Sequence, residues 1–274
     1  MARVRAAFTL VEIVTSIVVV ATLLAFLVPA ASRSRNTGNL YNSIQNVSRI
    51  MGATHAFYLD HASAPMLPTG ISGGQINGWD SWSLGGKNCD VFWNGYTGGI
   101  FDEPAYVRPL NPYIYSARIA VPVGYLSNAT TYAHGHPTAA DRLALQIAVF
   151  RSPGDVTTRQ RAWPNPTAGV SAYDDIGTSY ELNMKWWGAP GMPTGSFSQQ
   201  YFGGVQRVGQ ALGGATPNFI FVNDQTADVV SYGYQTVGEF GKLNASVVGW
   251  ADGRAGYLRI VPNAYSGPGY TFIP

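Results

Sequence analysis

From Phe8 to Val28 the chain runs for 21 residues with one charged side chain, Glu12. At 1.5 Å per helical residue this run spans about 32 Å, which matches a bilayer hydrocarbon core of about 30 Å. No other stretch constrains the fold as strongly: backbone in hydrocarbon must satisfy its own hydrogen bonds, so the run has to be a helix. A carboxylate inside such a helix is opposed by roughly 2.5–3.5 kcal/mol on insertion scales, so Glu12 requires a partner or a purpose. Arg3 and Arg5 ahead of the run favour a cytoplasmic N-terminus, while Arg33 and Arg35 beyond it weaken that asymmetry. An ordinary secretory signal cut after Ala30 is the competing account, since Val28 and Ala30 meet the small-residue rule at such sites. It leaves Glu12 without a reason.

Composition narrows the rest. The 274 residues allow one large domain or two small ones, and one is the better expectation once a membrane segment is set aside. Charged residues make up 12%, against 32 Gly, 17 Pro and 13% aromatics, which describes a loop-rich, β-leaning exported protein. The net charge of +2, with no basic block, gives nucleic acid no electrostatic footing as a partner. Cys89 is the sole cysteine, so neither an intramolecular disulfide nor a CxxC zinc site can form.

The N-terminal residues resemble the type IV prepilin and type II secretion pseudopilin family, whose signature is a short basic leader, a small residue, F-T-L-x-E and an apolar helix. Here these are Ala7 and Phe8-Thr9-Leu10-Val11-Glu12. Ala7 stands where the family normally has Gly. The resemblance implies that a prepilin peptidase cuts before Phe8 and methylates the new amine, leaving the helix attached. It also implies that Glu12 meets the Phe8 amine of a neighbouring subunit and sets register, as buried polar groups in apolar interfaces do. Pro29 falls where family members carry a helix-kinking proline, and its missing N–H and ring clash lead us to expect a kink or a melted turn there.

Beyond Pro29, Leu40, Ile44, Val47, Met51 and Tyr58 recur at helical spacing, with Asn39, Asn42, Ser43, Gln45, Asn46 and Arg49 largely opposite. The helix is therefore expected to continue outward, with Gly38 and Gly52 as weak points, and to lay this stripe on the globular domain. A separate helix after a break between Pro29 and Gly38 would serve equally well. From Asp60 to Gly99 the density of Gly, Ser, Asn and Trp predicts turns and no helix. Strands are predicted at Leu143 to Phe150, Ser179 to Asn183, Asn218 to Val222, Ser246 to Ala251 and Ala255 to Val261, with Asp252-Gly253 as a hairpin turn between the last two. The expected fold class is α+β: a long N-terminal helix, transmembrane then amphipathic, on an antiparallel sheet, pilin-like with long loops. The expected division is a leader at 1–7, an assembly helix at 8–31, its amphipathic continuation at 32–58 and an exported β-rich domain at 59–274.

The resemblance extends into that domain, to a group of prepilin-like proteins ending in an H-x9-DG motif. "KLNASVVGWADGRAGYL" aligns through Asp252 and Gly253, with Lys242 in place of the His. Leu110-Asn111-Pro112-Tyr113 matches its L-N-P-Y segment, "FRSPGD" its F-x-C-P-x-D with Ser152 for Cys, and Ser179-Tyr180-Glu181-Leu182-Asn183 its S-Y-x-x-N.

Other chemistry is thinner. Gly70-Ile71-Ser72-Gly73-Gly74 fits the G-x-S-x-G of hydrolase elbows, but with no strand before it or helix after it a turn is the simpler reading. His134 with His136, and His55 with His61, lack a carboxylate at ligand spacing and read as loop histidines. Asp224 and Asp228 in "NDQTAD" are weak calcium candidates, with Asp252 near them if the sheet gathers these loops. Some secretion pseudopilins do bind calcium in a C-terminal loop, though this stretch is no EF-hand, and turn-forming Asx residues are the plainer reading. Trp79, Trp82, Trp93, Trp186 and Trp187 would suit either a core or a sugar-stacking platform.

The expectation is therefore a non-enzymatic pilin-like or pseudopilin subunit with no cofactor. Its partners would be the prepilin peptidase, other pilin or pseudopilin subunits and an inner-membrane assembly platform. It would be a single-pass inner-membrane precursor, later part of a periplasmic or extracellular filament. The alternative is an exported, anchored or secreted ligand-binding protein, carbohydrate being one ligand.

Overall fold

The computed structural model describes residues 9–67, 69–72, 75–78, 80–119 and 137–274. One helix, α1 (Leu10–His61), runs for 52 residues. It runs through Pro29, Gly38 and Gly52 without a break in assignment, so the melted turn expected at Pro29 is not found. A proline removes one donor, here the N–H that would bond the Ala25 carbonyl, and the turns on either side hold the helix together around that gap. The helix ends at Ala62, whose left-handed conformation (φ 51°) lets its N–H close on the Tyr58 carbonyl at 2.7 Å.

Next come the hairpin β1 (Thr69–Ser72) and β2 (Gln75–Gly78), then the short helices α2 (Phe92–Gly95), α3 (Asn111–Ile114) and α4 (Ala139–Ala144). The small ladder β3 (Thr157–Thr158) and β4 (Thr167–Ala168) precedes α5 (Ala172–Ile176), β5 (Tyr180–Leu182) and α6 (Phe197–Gln210). The chain closes with β6 (Ile220–Asp224), α7 (Gln225–Ser231), β7 (Ala245–Trp250), β8 (Ala255–Arg259) and the ladder β9 (Ser266–Gly267) and β10 (Tyr270–Thr271). The architecture is α+β, built on a four-stranded antiparallel sheet ordered β5-β6-β7-β8.

The two faces of that sheet make two cores. Val47, Ile50 and Met51 of α1 pack with Tyr180, Leu182, Val222 and Val247 on one face. Val248, Trp250 and Ile220 meet Ala227 and Val230 of α7 and Tyr270 and Phe272 on the other. The amphipathic stripe read from the sequence thus covers the sheet, with Leu40, Ile44 and Tyr58 half-buried at its margins. Gly249 lets the helix sit down: a Cβ there would lie 2.7 Å from Met51 Cγ and 2.8 Å from Val47 Cγ1. Two residues read as lying opposite the stripe instead face the domain, because polar partners await them: fully buried Ser43 sets its Oγ 2.9 Å from the Tyr180 hydroxyl and Asn46 donates to the Arg151 carbonyl, while His55 Nε2 lies 2.8 Å from the Ala251 carbonyl.

Four of the five strands predicted are present. The fifth, Leu143 to Phe150, is not a strand: α4 reaches Ala144 and a single tight turn covers Ala148–Phe150. Its apolar residues are anchored one at a time, Ile147 and Phe150 buried and Leu143 exposed, which no sheet face would produce. The reading of 60–99 as helix-free also fails at its end, where α2 and a following turn (Tyr96–Gly99) place Trp93 in a third core beside Trp82, Cys89 and Ile176.

This irregular third layer is ordered by buried polar side chains instead of by a ladder. Arg108 is fully buried and donates to the carbonyls of Gly85 (2.8 Å) and Ile176 (2.9 Å). Arg142 grips Asp102 with two bonds of 2.7 and 2.6 Å. Such groups meet the rule that buried backbone must find partners somewhere.

Candidate functional site

The feature that distinguishes this chain is the first half of α1. Every residue from Thr9 to Gly38 is exposed, whereas residues from Ser43 onward alternate between core and solvent. From Leu10 to Arg33 the helix covers about 35 Å, and it is long and apolar enough to cross a membrane. Its few hydroxyls are turned inward on the backbone: Thr15 Oγ1 donates to the Val11 carbonyl (2.7 Å), Ser16 Oγ to that of Glu12 (2.8 Å) and Thr22 Oγ1 to that of Val18 (2.8 Å). Between Leu10 and Pro29 every hydroxyl hydrogen is thus taken up by a carbonyl, as an apolar setting demands.

Glu12 stands in the first turn. Its Oε2 accepts from the Thr9 N–H (2.8 Å) and the Thr9 hydroxyl (2.9 Å), and Thr9 Oγ1 accepts from the Glu12 N–H (3.3 Å). This is a capping box, and it gives the acid a task within its own chain that our sequence reading did not assign. The signal was legible: Thr9-Leu10-Val11-Glu12 has the T-x-x-E spacing ahead of an apolar run. Both bonds fall on Oε2, and among the described residues Oε1 accepts none. Ala7 and Phe8 lie outside the described residues.

The motif residues of the globular part gather in two places. Around Asp155, Oδ1 accepts from the Ala172 N–H (2.9 Å), and Oδ2 from the Tyr173 N–H (2.8 Å) and the Ser179 hydroxyl (2.5 Å). Ser179 Oγ in turn accepts from the Ser152 N–H (2.9 Å), so the F-R-S-P-G-D and S-Y-x-x-N stretches lock together beneath α1. Burial raises the Asp155 carboxyl above its ordinary value even though these donors pull it down. Burial likewise lifts Glu239, which accepts from the Ser152 hydroxyl. Asn111 is a clasp: its side chain accepts from the Gly86 N–H (2.8 Å) and donates to the carbonyls of Gly86 (2.8 Å) and Ala105 (2.7 Å). Tyr113 of the same segment reaches Asp60 at the end of α1 (2.8 Å). Each fastens one segment of the domain to another.

Asp252 and Gly253 form the tip of the β7–β8 hairpin, where Gly253 takes φ 92° and Asp252 pairs with Arg254 at 2.6 Å. Lys242 sits at the opposite end of β7, exposed, its ammonium 5.5 Å from the Tyr257 ring centre. Asp224 and Asp228 do not share a loop, because α7 begins between them. Asp224 caps that helix, accepting from the Thr226 N–H (2.9 Å), the Ser246 hydroxyl (2.7 Å) and the Val247 N–H (2.9 Å). Asp228, one turn on, accepts from Trp163 Nε1 (2.9 Å). Asp252 is not near them: Asp224 lies beside Val247 and Asp252 beyond Trp250, at opposite ends of the strand.

His55 faces the hairpin while His61 turns to Tyr113, so the two do not converge, and His134 and His136 lie outside the described residues. Among the described residues no group of three His, Cys, Asp or Glu could hold a metal. Ser72 ends β1 and pairs with Gln75 of β2, a hairpin with no strand-to-helix elbow; Gly73 and Gly74 are not described. Trp82, Trp93 and Trp186 are buried and Trp187 is half-buried, so they are core and make no surface platform; Trp79 is not described. Trp163, 40% exposed, went unnoticed in the sequence.

No family model, curated protein or solved structure matches this chain.

Proposed function

We propose that this chain is a pilin-like or pseudopilin subunit, cut by a prepilin peptidase before Phe8 and packed through residues 8–31 into a filament raised from the inner membrane by an assembly platform. One observation carries this reading: a single helix lives in two environments, its second half filling the core of its own domain and its first half, uncovered and apolar, carrying an acid in its first turn. Lipid covers that surface in the precursor, and other copies cover it in the fibre. Removal of residues 1–7 leaves the Thr9 N–H in place, so the capping box persists beside the new Phe8 amine and Glu12 retains a charge for a neighbouring amine.

A membrane-anchored binding protein is the second reading, and the capping box favours it, because Glu12 then has a use with no neighbour present. Glu12→Gln separates the two. Glutamine keeps the capping box but removes the charge, whereas Thr9→Ala weakens the cap and keeps the charge. The full chain is made with and without a prepilin peptidase, its intact mass is measured, and assembly is followed by crosslinking of α1 and by shearing. Loss of residues 1–7, with assembly abolished by Glu12→Gln and retained in Thr9→Ala, supports the subunit. An untrimmed chain, or assembly indifferent to Glu12→Gln, overturns it.

A further inference from the structure

On the far side of the sheet from α1, a cleft of about 420 Å³ opens between the third layer and the α7 region. This lies within the ~300–1,000 Å³ common for small-ligand sites. Asp80, Trp82, Gln160, Trp163, Asp228 and Tyr232 are among the residues that line it. Trp163 is held by its Nε1–H bond to Asp228 and stands perpendicular to Tyr232 and Tyr234 at ring separations of 5.4 and 5.6 Å. All three rings are 40–46% exposed, whereas the other described tryptophans are largely core. Gln160 is fixed by donating to Glu181 Oε2 (2.7 Å).

Two buried polar atoms on the lining residues have no partner among the described residues: Trp82 Nε1, a donor, and Asp80 Oδ2, an acceptor. Leaving such groups unpaired costs free energy, and a ligand that offers both a donor and an acceptor recovers it with the small adjustment that brings them to the cleft surface. The charges select among ligands. Asp80 and Asp228 repel an anion. Arg108 and Lys185 offset part of the charge on Asp80 and Asp228, so a cationic ligand gains less. An apolar ligand satisfies neither orphaned atom. What remains is a neutral polyol with an apolar face to lay on an indole and hydroxyls at its rim.

We propose that this cleft binds a neutral oligosaccharide, with one pyranose ring stacked on Trp163 and its hydroxyls bonded to Asp228, Gln160 and Asp80. The site does not depend on assembly through α1. The test uses the full chain in lauryldimethylamine oxide micelles, because glycoside detergents would compete. Cellotetraose, maltotetraose, mannotetraose and chitotetraose are titrated by calorimetry and tryptophan fluorescence, with oligogalacturonate as the anionic comparison. Saturable binding of at least one neutral sugar is expected. Trp163→Ala should weaken it at least about tenfold, Gln160→Ala severalfold, and Phe202→Ala, exposed on α6 and outside the cleft, not at all. Should Trp163→Ala fail to fold, Gln160→Ala decides. The proposal is overturned if no neutral sugar binds up to about 10 mM, if the cleft variants bind like the parent, or if only the anionic sugar binds.

Discussion

Gly249→Ala should loosen the seat of α1 on the sheet. The added methyl carbon would sit 2.7 Å from Met51 Cγ, 2.8 Å from Val47 Cγ1 and 2.9 Å from Met51 Sδ, where carbon contacts are comfortable only at about 3.5–4.0 Å. The helix or the side chains must therefore give way by close to 1 Å, in a layer where Val47 and Met51 are fully buried. Overpacking of this kind costs about 1–3 kcal/mol. For a domain of this size each kcal/mol lowers Tm by about 2–4 °C, so the expected drop is roughly 2–12 °C. The assay is thermal unfolding of the full chain in micelles, followed by near-UV circular dichroism. Met51→Ala alone should cost about 2–5 kcal/mol by leaving a cavity. In that background the two Met51 contacts are gone and only the one to Val47 Cγ1 remains, so the cost of Gly249→Ala should fall without vanishing. An unchanged Tm for the single variant, or an undiminished cost beside Met51→Ala, would refute the contact as the reason for a glycine here.

Three further outcomes are expected. Asn111→Ala removes three bonds between Asn111 and the buried 86 and 105 backbones, so the chain should lose about 2–4 kcal/mol and expose the third layer to limited proteolysis; unaltered protease resistance would count against the clasp. Burial holds Glu181 at about 7 and Asp228 at about 6, above their ordinary 4.5 and 3.8. The unfolded chain gives up these protons first, so their contribution is most favourable below pH ~4, declines as pH rises through about 4–7 and is level above that. Tm should thus be higher at pH 5 than at pH 7.5, with a shallower slope in Glu181→Gln; a Tm that rises across this window refutes the assignment. Cys89 is buried with its thiol pushed up to about 12, chiefly by desolvation, so it should resist thiol reagents until the protein unfolds, and rapid labelling of the native chain would contradict its placement.

What the sequence disclosed followed periodicity and turn chemistry. The stripe from Leu40 to Tyr58 specified both the helix and the face it buries, and Asp252-Gly253 specified the hairpin. Segments whose order comes from individual side chains escaped notice. The helix α6 went unassigned because glycines interrupt its apolar pattern; yet Ser196 and Gln199 form a capping box at its start, and Gly204 is small because the Trp186 ring lies against it. Leu143 to Phe150 looked like a strand because alternation alone does not distinguish a ladder from isolated anchors. The cleft was out of reach for another reason: Asp80, Trp163 and Asp228 are distant in sequence and converge only through the fold.

Because stem and body share one helical rod, a pull on its exposed apolar end is not absorbed by a linker. It reaches the sheet as shear along the seam formed by Val47, Met51 and Gly249, where many contacts must fail at once and no strand can peel away singly. That seam is where a load along the rod enters the domain.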